Sequence, residues 1–180
     1  MNEGLIPRRY AKALLEFAKE KNADMRLYRL MDNLIRSFAA NPGLEAIMAN
    51  PFVAPDRKEQ LLVTAAGAGQ DDEVYADFLK LLRGNKRLPL VRAIAIAYGE
   101  GYRKEHGIYR VEVAAAAPMA PADEERLKKL ISSHLDGGTM EYSFKLKPEL
   151  IGGFTVSVGS EKLDASVQND LKQLQLKLLG

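Results

Sequence analysis

The chain has 180 residues, room for one domain or two small ones and too few for three. Its 47% hydrophobic and 28% charged residues exclude a disordered chain, and a net charge of +2 argues against a dedicated nucleic-acid binder or any other polyanion partner. With no cysteine, disulfides, Cys-ligated zinc, iron–sulfur clusters and thiol nucleophiles are excluded by inventory, which fits a reducing compartment.

Taken in chain order, Met1 to Arg9 lacks the apolar run of a signal peptide, and no later stretch approaches the ~18 apolar residues of a membrane span. A chain soluble on its own is expected. From Leu5 to about Glu105 apolar residues recur at helical spacing, broken at Asn41-Pro42-Gly43, Asn50-Pro51, Ala54-Pro55-Asp56, Gly67-Ala68-Gly69 and Gly84-Asn85-Lys86. The spacing predicts six helices: Ile6 to Lys21, Asp24 to Ala40, Gly43 to Ala49, Asp56 to Ala66, Asp71 to Arg83 and Leu88 to Glu105. Asp56, and Asp71 or Asp72, are expected as N-caps, because a carboxylate oxygen accepts the free NH groups of a first turn. Gly84 is expected as a left-handed C-cap.

After His106-Gly107 the period falls from about 3.6 to 2. Tyr109, Val111 and Val113 alternate with Arg110 and Glu112, and Tyr142, Phe144 and Leu146 with Ser143, Lys145 and Lys147, as half-buried strands do. Between them Asp123 to Leu135 reads as a helix with Leu127, Leu130, Ile131 and Leu135 on one face. Phe154, Val156 and Val158 form a third strand after Gly152-Gly153. The last predicted element is a helix capped by Asp164, with Val167, Leu171, Leu174 and Leu178 as its packing stripe and Leu176 and Leu179 off that stripe. The expected fold is α+β: an all-α six-helix bundle over residues 1–105, followed by a small mixed α/β domain over residues 106–180.

No constellation for catalysis emerges. His106 and His134 are the only histidines and neither has metal-ligand spacing, so no metal and no cofactor are expected. Leu150-Ile151-Gly152-Gly153-Phe154 fits neither GxxxxGK[ST] nor GxGxxG and opens a strand, where a phosphate cradle opens a helix; a tight turn or bulge is expected. Arg83-Gly84-Asn85-Lys86-Arg87 is the densest basic cluster but lacks the interleaved aromatics of a nucleic-acid platform.

Two helices are apolar over too much of their circumference. A helix facing one core needs a stripe a little over 100° wide, whereas the first predicted helix spreads apolar residues over roughly 200° and the fifth over roughly 160°. Central burial accounts for this, and so does a groove that takes an outside helix.

Arg9-Tyr10-Ala11-Lys12-Ala13-Leu14, Asn50-Pro51-Phe52-Val53, Asn85-Lys86-Arg87-Leu88, Leu150-Ile151-Gly152-Gly153-Phe154, Gly159 and Leu163-Asp164-Ala165-Ser166-Val167 follow in an order and spacing that resemble the delta-subunit family of the F-type ATP synthase. The mitochondrial counterpart in that family is the oligomycin-sensitivity-conferring protein. Lys147, where the family usually has an acidic residue, and Gln168, where arginine is common, depart from the pattern.

The resemblance implies a stator subunit with no active site of its own, peripheral to the cytoplasmic face of the bacterial inner membrane and held there only through the complex. It implies a groove between helices one and five that receives the amphipathic N-terminal helix of an alpha subunit, carried here onto Tyr10, Ala13, Leu14, Phe17, Val74, Phe78 and Leu81. It also implies attachment of the second domain to the peripheral-stalk b subunits, assigned to Leu176 and Leu179. The alternative is a small helical RNA-binding or regulatory adaptor using Arg83 to Arg87.

Overall fold

A computed structural model of the chain describes residues 4–69, 71–135, 137–159, 161–167 and 169. It divides into two compact units, Met1–Arg103 and Lys104–Gly180. The elements in order are α1 (Leu5–Glu20), α2 (Asp24–Ala40), α3 (Gly43–Ala49), α4 (Pro55–Ala66), α5 (Glu73–Gly84), a 3-10 turn (Leu88–Leu90), α6 (Val91–Glu105), β1 (Ile108–Ala115), α7 (Pro121–Ser133), β2 (Thr139–Leu146), a second 3-10 turn (Pro148–Leu150), β3 (Gly153–Val158) and β4 (Glu161–Ser166). This is the expected α+β class.

In the first unit α2 turns Leu27, Leu30, Met31, Leu34 and Phe38 inward at helical spacing, all at most 4% exposed. They share the core with Leu62 of α4, Leu79 and Leu82 of α5 and Ile94 and Tyr98 of α6. Polar side chains of α2 close the end of α4: Ser37 Oγ donates to the Ala65 carbonyl at 2.7 Å and Asn33 Nδ2 to that of Ala66 at 3.2 Å. These carbonyls belong to a last helical turn and have no intrahelical partner. Tyr75, whose phenol burial pushes upward in pKa, donates to the Leu62 carbonyl at 3.0 Å and ties α5 to α4.

Capping differs from expectation at three places. Ala54 occupies the N-cap position of α4 because Pro55, with its fixed φ and missing NH, takes the first helical position, and Asp56 falls into the first turn. Asp72 stands at the N-cap of α5, yet its carboxylate makes no cap bond to that helix. It accepts instead from Gly69 N at 2.7 Å and from Arg26 Nε and Nη2 of α2 at 2.8 and 2.9 Å. At the C-terminus of α5 the left-handed residue is Lys86 (φ 57), not Gly84. Lys86 N donates to the Arg83 carbonyl and Arg87 N to that of Leu82, the paired bonds of a Schellman motif.

The Arg26 guanidinium, by hydrogen bonding first, holds the Asp72 carboxyl below the usual carboxylate range. A lowered folded pKa gives stability that is fully present above the unfolded value near 3.9, declines below it and is lost as pH falls through the lower folded pKa. Asp72→Asn is therefore expected to cost stability at neutral pH and little at acid pH. Thermal melts of both chains from about pH 7 to about pH 3 should show their midpoints converging.

The second unit is a four-stranded sheet in the order β2-β1-β3-β4, with β1 and β2 parallel and joined through α7, and the other pairs antiparallel. Val111, Val113 and Val156 point to one face and meet Ile131 and Leu135, with Leu127, Tyr142, Phe144 and Phe154 packed around them. Leu130, expected on the packed face of α7, is 62% exposed.

The predicted C-terminal helix is corrected at its start. Asp164 lies inside β4, where Thr155 pairs with it and Val156 with Leu163. Its carboxylate accepts from Ser166 Oγ at 2.6 Å and Ser166 N at 3.2 Å, while Ser166 Oγ accepts from Asn169 N. Ser166 thus has the geometry of the N-cap and Asp164 braces it. Val167 is 42% exposed; Leu171, Leu174, Leu176, Leu178 and Leu179 lie outside the described residues.

Candidate functional site: an apolar cleft between α1 and α5

The over-wide apolar arc of α1 is divided between two surroundings. Ala11, Leu14, Leu15 and Ala18 are buried, while Ala13 and Phe17 remain exposed. On α5, Tyr75, Phe78, Leu79 and Leu82 are buried and Leu81 is 54% exposed. The leftover edges meet in a cleft of about 390 Å³ lined by Tyr10, Ala13, Leu14 and Phe17 of α1 and by Asp77, Phe78 and Leu81 of α5. Leu14 and Phe78 are its buried floor, at 7% and 3% exposure, and Phe17 and Leu81 its open walls.

The floor is braced from behind, where the Phe78 ring tilts against Tyr75 with centroids 6.5 Å apart. Charged groups stay on the margins: Asp77 pairs with Lys80 at 3.1 Å, and the Lys21 ammonium stands 5.8 Å from the Phe17 ring centroid. The cleft is a concave apolar strip flanked by helical charges, a surface that suits the apolar face of an amphipathic helix.

One end of the cleft carries polar machinery that sequence reading missed. The Tyr10 hydroxyl accepts from Arg87 Nη1 at 2.9 Å and from Asn85 Nδ2 at 3.2 Å, and the Arg87 guanidinium also lies 5.3 Å from the Tyr10 ring centroid. Both donors lie at the end of α5, Asn85 at its C-cap and Arg87 just past the left-handed Lys86. Asn85-Lys86-Arg87 stands out in the sequence only as part of a basic cluster, and nothing local there points to residue 10.

Of the seven residues assigned to a groove, the structure gathers Tyr10, Ala13, Leu14, Phe17, Phe78 and Leu81. Val74 lines a separate hollow of about 200 Å³ together with Lys21, Arg26 and Asp72. The basic cluster is largely engaged: Arg83 pairs with Asp56 and with Glu59, the latter at 3.1 Å, and Arg87 is held on Tyr10. His134 Nδ1 lies 2.8 Å from the Leu130 carbonyl within its own helix end. Gly152-Gly153 shapes the turn into β3, with Gly153 at φ +74 against the backbone of β4. Among the described residues no group of three His, Cys, Asp or Glu stands together as a metal site, and no helix is long and apolar enough to cross a membrane.

The second unit has an apolar hollow of about 370 Å³ whose lining includes Leu130, Ile131, Leu135, Val156, Val158 and Leu163. Leu130 and Leu163 at its margin are 62% and 63% exposed.

Comparison with known proteins places the whole chain. A sequence model of the family described as ATP synthase delta (OSCP) subunit matches residues 6–178. ATP synthase subunit delta of Parabacteroides distasonis is 38% identical over 179 residues, covering 99% of this chain and 98% of the relative. The protein of the same name from Bacteroides thetaiotaomicron is 32% identical over 180 residues, covering 99% and 96%. In fold, the chain is similar to one in a cryo-EM structure of the Toxoplasma gondii mitochondrial ATP synthase hexamer, with a TM-score of 0.75 at 24% identity and coverage of 100% and 98%. A match across nearly the full length at these identities settles the family: the chain belongs to the ATP synthase delta (OSCP) subunits.

Proposed function

We propose that this chain is a non-catalytic stator subunit of a rotary F-type ATP synthase, linking the catalytic head to the b subunits of the peripheral stalk so that rotor torque is coupled to ATP synthesis or hydrolysis. The observation that carries the reading is the α1/α5 cleft, whose apolar floor and open walls match the apolar face of a single helix. Its occupant is the amphipathic N-terminal helix of an alpha subunit. The second unit attaches to the stalk, a role supported by the hollow beside Leu130 and Leu163. The chain reaches the membrane surface only as part of the complex.

Static coupling needs tight binding without turnover. A helix buried in an apolar cleft supplies that, and two attachment sites on one chain raise the effective concentration of each for its partner.

The test is affinity purification of the tagged chain from detergent-solubilised membranes, with partners identified by mass spectrometry at low and high salt. Recovery of alpha, beta and b subunits in both is expected, because apolar contacts resist salt whereas phosphate contacts weaken steeply with it. RNA recovered at low salt alone, with no synthase subunits, would favour the adaptor reading instead.

A further inference from the structure

We propose that Asn85 and Arg87 form a two-donor clamp that fixes Tyr10 at the end of the α1/α5 cleft and turns its hydroxyl proton toward the docked helix, so that the cleft selects a helix carrying a hydrogen-bond acceptor at that end. This rests on the reading of the cleft as a helix-binding site.

The clamp begins in local backbone geometry. The Schellman bonds from Lys86 N to the Arg83 carbonyl and from Arg87 N to the Leu82 carbonyl end α5 and set the direction in which the chain leaves it. Arg87 then reaches a residue 77 positions earlier, giving Tyr10 both a charged donor at 2.9 Å and a cation over its ring, and Asn85 adds a second donor at 3.2 Å.

A phenolic oxygen both accepts and donates. With two donors already on its lone pairs, the group Tyr10 has left to offer is its own proton, and Tyr10 lines the cleft. A docked helix covers that proton and shields it from water. An acceptor on the helix, a carboxylate or an amide carbonyl, satisfies it; an apolar group leaves it buried and unpaired, the arrangement that discriminates most strongly between ligands. The clamp also freezes the ring before binding, so that docking orders one side chain fewer. Arg87 and Asn85 act through Tyr10 and are positioning residues.

The test uses the full chain and a synthetic peptide copying the amino-terminal helix of the alpha subunit, with affinity measured by calorimetry and folding by thermal melts. Tyr10→Phe is expected to weaken binding about tenfold, the scale of one buried hydrogen bond lost, and Arg87→Ala to do the same. The two changes together should weaken it no further than Tyr10→Phe alone, since both break one device. Arg87→Lys, which keeps a charged donor, should restore part of the loss. A peptide series with each acidic or amide side chain changed to alanine should contain one member that Tyr10→Phe binds at least as tightly as the unaltered chain does, because only the unaltered chain then buries an unpaired hydroxyl. Unaltered affinity in Tyr10→Phe, or fully additive losses, would overturn the clamp and leave the cleft reading standing. Failure of the unaltered chain to bind any peptide would overturn both.

Discussion

Leu81→Asp is expected to weaken binding of the alpha-subunit helix by roughly a hundredfold, about 3 kcal/mol, while the bundle melts within a few degrees of the unaltered chain. Leu81 is the open wall of the cleft: at 54% exposure an aspartate there is solvated in the free protein and costs folding little. Docking removes that solvent and leaves the carboxylate against an apolar helix face with no partner. Phe78 is the wrong position for the same test, although it lies in the same cleft. At 3% exposure it belongs to the bundle core, and a charge there would unfold the domain before any question of binding arose. Calorimetry with the peptide, paired with circular dichroism, separates the two effects. Unchanged affinity in a folded Leu81→Asp chain would remove the α5 wall from the interface.

Gly153→Ala is expected to destabilise the second unit by about 2–4 kcal/mol, with hydrogen-exchange protection lost across β3 and β4 and retained across α1 to α5. Gly153 opens β3 at φ +74, and a Cβ built there would stand 2.2 Å from the Ala165 carbonyl oxygen. That oxygen is backbone of the paired strand β4, with Gly153 opposite Ser166, so relief requires the ladder itself to part. Two costs coincide, the left-handed backbone for an L-residue and the clash, and neither is relieved by rotating a side chain. Native protection in β3 and β4 would contradict the geometry at this turn, and protection lost throughout α1 to α5 as well would contradict folding of the two units as separate cores.

Features encoded in periodicity were legible from the sequence. The limits of α2 and α3 match the predicted spans, because turn residues stand on both sides of each apolar stripe. The excess apolar arcs on α1 and α5 were legible too, but they left central burial and an outside groove both open; the groove residues came from the family resemblance, and six of the seven line one cleft. Val74 strayed because a helical projection keeps the angle of a residue and discards its height: it shares the arc of α5 but sits nearer the Asp72 end.

What long-range contact decides was hidden. Glu161 to Ser166 alternates Leu163 and Ala165 with Lys162, Asp164 and Ser166, but both apolar side chains are exposed, so the ladder to β3 makes this segment β4 and burial of an apolar face does not. Asp164 looked like an N-cap because an aspartate preceding an apolar stripe usually is one, whereas here it braces Ser166. Asp72 likewise carried the composition of a cap, and a guanidinium 46 residues away claims its carboxylate. The Tyr10 clamp joins residues too distant for any local pattern to pair.

A methyl and aromatic NMR titration of the full chain with the alpha-subunit peptide separates the two ends of the molecule. Saturable shifts are expected at Tyr10, Ala13, Leu14, Phe17, Phe78 and Leu81, with Leu130 and Leu163 of the second unit unmoved. Shifts centred on Leu130 and Leu163 with the cleft residues silent would contradict this reading, because the head would then be held by the unit assigned to the stalk.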